Sequence, residues 1–254
     1  MTPELDAITR YEPPAALLDG RVILVTGAGE GIGRALSLAC AAHGATVVLL
    51  DKAVKQMETV YDAIEAAGGA QPAIYPMNLE GATAKDHADL AENIGREFGR
   101  LDGLVNHAGW IGARDPLKHY DIELWSRVLM INLHAPFLLT RSCLPLLEQA
   151  ADPAIVFSTH DMRGTGGGAY GIAKAGQEAM LRILAAEHGP GSEHPIRVNG
   201  VDSGPVATHE GSSSHPDETA DQLAVPASVI LPYLYLLGPD AGQLSGRNLR
   251  LQDS

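Results

Sequence analysis

Tyr170 and Lys174 stand four apart in "YGIAK", so on a helix both side chains project from one face. A phenol near pKa 10 is a poor acid or base at neutral pH, and lowering it by about 3 units takes about 4 kcal/mol of differential stabilisation. A lysine cation one turn away supplies part of that, which makes the pair a candidate proton carrier for an alcohol or ketone oxygen. Just upstream, "AIVFSTH" offers three further polar side chains, Ser158, Thr159 and His160. A second chemistry belongs to "TGAGEGIG", Thr26 to Gly33, where backbone N–H groups precede a helix and suit a phosphate. The G-x-G-x-x-G spacing fails there and Gly27, Gly31 and Gly33 remain, with Gly29, Glu30 and Ile32 between them. Asp51 follows at the end of the next apolar run, where a carboxylate accepts from a ribose 2′-OH and repels a 2′-phosphate. Glu30 adds negative charge, and Lys52 is the neighbour that favours the phosphorylated form. NAD is therefore favoured over NADP.

The elements that must position these groups alternate in a βαβ rhythm, the pattern of a parallel sheet. Residues 21–26, 46–50, 73–77, 103–106, 154–158, 196–201 and 247–251 read as seven strands, apolar enough to be covered on both faces. Residues 32–42, 55–67, 83–98, 121–149, 171–188 and 227–237 carry helical periodicity. Pro136 and Pro145 predict a kink or break in the fourth of these, because an interior proline removes a backbone bond. The expectation is an α/β fold, a Rossmann-type doubly wound seven-stranded parallel sheet with helices on both faces, spanning residues 21–254 as one domain. Residues 1–20 form an arm, packed on the sheet or on another subunit.

The 254-residue chain carries 18 Lys and Arg against 31 Asp and Glu, a net charge of −13 that repels a nucleic-acid backbone. No apolar run reaches the roughly 18 residues of a membrane span, and the first residues lack the pattern of a signal peptide. A cytoplasmic protein is expected, with no membrane or nucleic-acid partner. Cys40 and Cys143 read as small core residues, and His209 and His215 as loop residues without metal-ligand spacing, so no metal is expected.

Five segments in order resemble the short-chain dehydrogenase/reductase family, over nearly everything from Gly20 onward. "TGAGEGIG" is similar to its TGxxxGxG loop, "FGRLDGLVNHAG" to its NNAG region and "MINLHAPF" to its catalytic-Asn helix. "YGIAK" is similar to its YxxxK, and "RVNGVDSGPVAT" to its RVNxxxPGxxxT segment. The resemblance implies an NAD(P)-dependent oxidoreductase moving a hydride between nicotinamide and an alcohol or ketone. In it Tyr170 is the general acid/base, Lys174 holds the nicotinamide ribose and lowers the tyrosine pKa, and Asn132 holds a proton-relay water. Asn106, Ala108 and Gly109 line the cofactor, as do Asn78 and Leu79 after the third strand. Late in the chain Gly204, Val206 and Thr208 do the same, Ser203 and Gly204 replacing the family's Pro-Gly.

The family also has a serine before the tyrosine, past the fifth strand. Counting back from Tyr170 reaches Ser158, whereas aligning the strand puts His160 in the serine slot and shortens the glycine-rich loop. The strand alignment is favoured because deletions collect in loops, while sliding a buried strand moves every side chain on it. His160 then faces the substrate with Ser158 deeper on the same side and Thr159 turned away. The alternative is a catalytically weak or inactive NAD-binding sensor or scaffold. The segment 206–225 reads as a polar substrate loop, and the apolar surface of "LWSRVLMINLHAPFLL" predicts a homodimer or homotetramer.

Overall fold

The structure, a computed structural model, describes residues 3–162, 164–208 and 223–251. The expected substrate-loop residues 209–222, with His209 and His215, lie outside the described residues. Seven strands, β1 (Val22–Thr26), β2 (Thr46–Asp51), β3 (Ala73–Pro76), β4 (Gly103–Asn106), β5 (Ala154–Thr159), β6 (Arg197–Asp202) and β7 (Asn248–Arg250), form one sheet in the order β3-β2-β1-β4-β5-β6-β7. Every pairing is parallel. The expected seven-stranded Rossmann-type fold is therefore present, with every strand edge within one residue of that read in the sequence.

Both faces of the sheet are covered, which explains why the strands show no polar alternation. Along β1, Ile23 and Val25 enter one core layer with Leu36 and Cys40 of α2 (Gly31–Ala42) and Met57 and Val60 of α3 (Val54–Ala66). Val22 and Leu24 enter the opposite layer with Leu90 of α4 (Ala84–Phe98), Leu139 of α6 (Ala135–Leu147) and Leu181 of α7 (Gly168–His188). A short helix, α8 (Leu231–Leu237), completes the first layer. The opening residues, expected as an arm, lie on this chain's own core: α1 (Pro3–Thr9) meets α8, Tyr11 stacks edge-on against Tyr235, and Leu17 and Leu18 are buried. Among the described residues, no helix is long and apolar enough to cross a membrane.

The segment expected as a kinked or a broken helix over 121–149 is α5 (Ile122–Leu129), a π turn (Met130–His134) and α6. The break sits at the π turn, so the second of the two expected forms, two helices, is present, with Pro145 lying inside α6. Pro136 explains the break. It has no N–H to give the Asn132 carbonyl, which an α-helix would require.

Candidate active site

The order of the sheet reverses between β1 and β4, the place where open α/β sheets bind ligands beyond the strand ends. A cavity of about 610 Å³ opens there, large enough for a sizeable cofactor. Its walls include the turn after β1, Asp51, the segment after β3, the turn after β4, the end of β5 and the start of α7. Thr26 fixes one of these walls, since its hydroxyl accepts from the N–H groups of His107 and Ala108, both at 2.9 Å.

The glycine turn is built so that a ligand can meet bare backbone. Gly31, at φ +54°, sits where a side chain would come within 2.9 Å of Thr208 Cγ2. A Cβ at Gly33 would lie 2.0 Å from the Gly27 carbonyl oxygen, so the turn and α2 pack too closely for any other residue. The Asp51 carboxylate is fixed by accepting from Gly29 N at 3.1 Å and Ala53 N at 3.0 Å. These groups fit a nicotinamide dinucleotide: N–H groups at the start of α2 for the pyrophosphate and a held carboxylate for a ribose. Glu30, Ile32, Lys52, Asn78, Leu79, Ala108, Gly109, Gly204, Val206 and Thr208 line the same cavity. Asn106 lies buried behind it, with its amide donating to Thr140 at 3.0 Å.

Tyr170 and Lys174 occupy the first two turns of α7, which begins three residues earlier than its periodicity suggested. A Cβ at Gly171 would lie 2.2 Å from the Met162 carbonyl, so glycine lets the helix start press against the chain leaving β5. That contact brings His160 Nδ1 to 3.4 Å from the Tyr170 hydroxyl, with the two rings edge-on. Lys174 is buried, its Nζ 5.5 Å from the Tyr170 ring centre and donating to the Ser158 carbonyl at 2.7 Å.

Asn132 spends its side chain as a clamp. Its Oδ1 accepts from Trp110 N at 3.1 Å, and Nδ2 donates to the carbonyls of Trp110 and Val128, each at 2.8 Å. Its backbone carbonyl accepts from the side-chain amide of Gln177. Thr159 bonds to Asn248 at 2.7 Å, away from Tyr170.

Three site residues were missed by the sequence reading. His107 stands where the family motif has its second Asn, with Nδ1 2.9 Å from Ser158 Oγ, and that oxygen is 2.8 Å from the hydroxyl of the buried Tyr233. Burial first, then the Lys174 cation, push the His107 pKa down to about 3, so the ring is neutral. Burial pushes the Tyr233 phenol up, which keeps its proton available as a donor. Gln177, the third, had a signal: it follows Tyr170 and Lys174 on the same helical stripe.

A seven-stranded parallel sheet with a glycine turn at its switch point is the Rossmann class of fold, and a Tyr and Lys on one helix face give it a proton site. The family model for short chain dehydrogenase matches residues 21–219. The uncharacterized oxidoreductase YciK of Escherichia coli (strain K12) is 33% identical over 245 residues, 95% of this chain and 96% of that one. Among solved structures, a Pseudomonas syringae protein assigned to the short chain dehydrogenases is 40% identical with a TM-score of 0.92, covering 95% of this chain and 98% of that one. A short chain dehydrogenase from Escherichia coli CFT073, solved in complex with NADPH, is 33% identical with a TM-score of 0.90, covering 95% of this chain and 100% of that one. This chain belongs to the short chain dehydrogenase family. It is an oxidoreductase acting on CH–OH and C=O groups of small molecules.

Proposed function

We propose that this protein transfers a hydride between a nicotinamide dinucleotide and a small alcohol or ketone, with Tyr170 as the general acid/base. The observation that carries this reading is the convergence of Tyr170, Lys174 and His160 at the cavity that the glycine turn also lines. The bound dinucleotide supplies or accepts the hydride. For its part the chain offers N–H groups to the pyrophosphate, aims Lys174 at the nicotinamide ribose, and moves a proton at the Tyr170 hydroxyl. His160 stands in the place of the family serine and holds the substrate oxygen through a ring N–H.

NAD is the favoured dinucleotide because Asp51 is held by two backbone N–H groups at the end of β2 and repels a 2′-phosphate. Lys52 spends part of its charge on Glu80, whose carboxyl is held below the usual range first by the hydrogen bond from Arg127. A second reading, NADP, is favoured by the NADPH-bound relative and by Arg34, which with Lys52 lines the cavity. The ratio of kcat/KM for NADH over NADPH separates them. Wild type is expected to favour NADH, and Asp51→Ala to cut that ratio by about 10²-fold as the like-charge repulsion goes. Preference for NADPH in wild type would establish the second reading.

A cytoplasmic location is part of the same proposal, supported by the two free, buried cysteines. Its exposed Ile122, Phe137, Ile172 and Ile183, on α5, α6 and α7, support a homodimer or homotetramer. Light scattering is expected to give two or four times the 26.7 kDa chain mass, and a monomer would refute the assembly.

A further inference from the structure

Gln177 is wholly buried, and its amide joins two groups of the site. Its Nε2 donates to the Asn132 carbonyl, and its Oε1 accepts from Lys174 Nζ at 3.3 Å. Both partners have a reason to need it. Pro136 deprives the Asn132 carbonyl of its helical donor, and a buried ammonium requires acceptors on several sides. Here those acceptors include the Ser158 carbonyl and Gln177.

We propose that Gln177 is a positioning residue whose amide bridges Lys174 and the Asn132 carbonyl and so fixes the aim of the lysine. The inference rests on the hydride-transfer reading above. Water reorients and passes protons along, whereas a primary amide neither gains nor loses a proton near neutral pH. Its carbonyl end is committed to the ammonium and its N–H end to the backbone. The bridge therefore transmits position without conducting protons.

The test is a double-mutant cycle on NADH and NADPH affinity by calorimetry, using wild type, Gln177→Met, Lys174→Met and the double variant. The pH profile of kcat is recorded for wild type and Gln177→Met alongside it. Gln177→Met is expected to weaken dinucleotide binding about tenfold, the scale of one hydrogen bond to a charged group, and to move the tyrosine limb of the profile. The double variant is expected to bind no more weakly than Lys174→Met alone, because Gln177 acts through the lysine. Additive losses, or wild-type affinity and pH profile in Gln177→Met, would overturn the proposal even where its melting temperature falls. If Gln177→Met does not fold, the same cycle with Gln177→Ala decides by the same criteria. A wild type that binds neither dinucleotide would sink the hydride-transfer reading and this one with it.

Discussion

Tyr170→Phe is expected to lower kcat by about 10³-fold or more while changing dinucleotide affinity by less than about threefold. The Phe ring keeps the packing of Tyr170 against Ile111, Tyr120, Val128 and Ala169, so the substitution removes one hydroxyl and little else. That hydroxyl is the group placed 3.4 Å from His160 Nδ1 and beside the buried Lys174 cation. An oxygen that must gain or lose a proton during hydride transfer has no equivalent donor once it is gone. The measurement is NADH and NADPH oxidation against a panel of small ketones, with affinity read separately by calorimetry. Undiminished turnover would move the acid/base role away from Tyr170. Tight dinucleotide binding by wild type without turnover on any ketone would instead favour a sensor or scaffold.

The fold was readable because a parallel sheet buried on both faces writes itself as short apolar runs, and each run found a strand. The dinucleotide cradle was readable for a similar reason: glycines that admit backbone and a carboxylate at a strand end are local features. Tyr170, Lys174 and Gln177 share one helix stripe, so spacing alone groups them, although the role of Gln177 needed Pro136 to be seen depriving a carbonyl on another helix. The chain from His107 through Ser158 to Tyr233 could not be read in this way. Its members are 51 and 75 positions apart, and only the stacking of β4, β5 and α8 brings them together. The break before α6 was placed near the right residues, but its form as a π turn is not written in the positions of the prolines.

That buried chain also decides which residue replaces the family serine. His160→Ala is expected to lower kcat by about 10²- to 10³-fold, the usual loss when one donor to a reacting oxygen is removed. Ser158→Ala is expected to change kcat by less than about threefold and to lower stability by about 2 kcal/mol. A serine hydroxyl has one proton to give, and His107 is neutral with Nδ1 facing that hydroxyl. Ser158 Oγ is engaged by His107 Nδ1 on one side and by the Tyr233 hydroxyl on the other, so a substrate oxygen competes with both for it. Removing that hydroxyl leaves His107 and the wholly buried Tyr233 without it, a cost to the fold. His160, two residues further along and just past β5, lines the cavity with its Nδ1 3.4 Å from the Tyr170 hydroxyl. Parallel melting curves and ketone kinetics on the two variants separate the roles. A large loss of kcat in Ser158→Ala with wild-type kcat in His160→Ala would reverse the assignment.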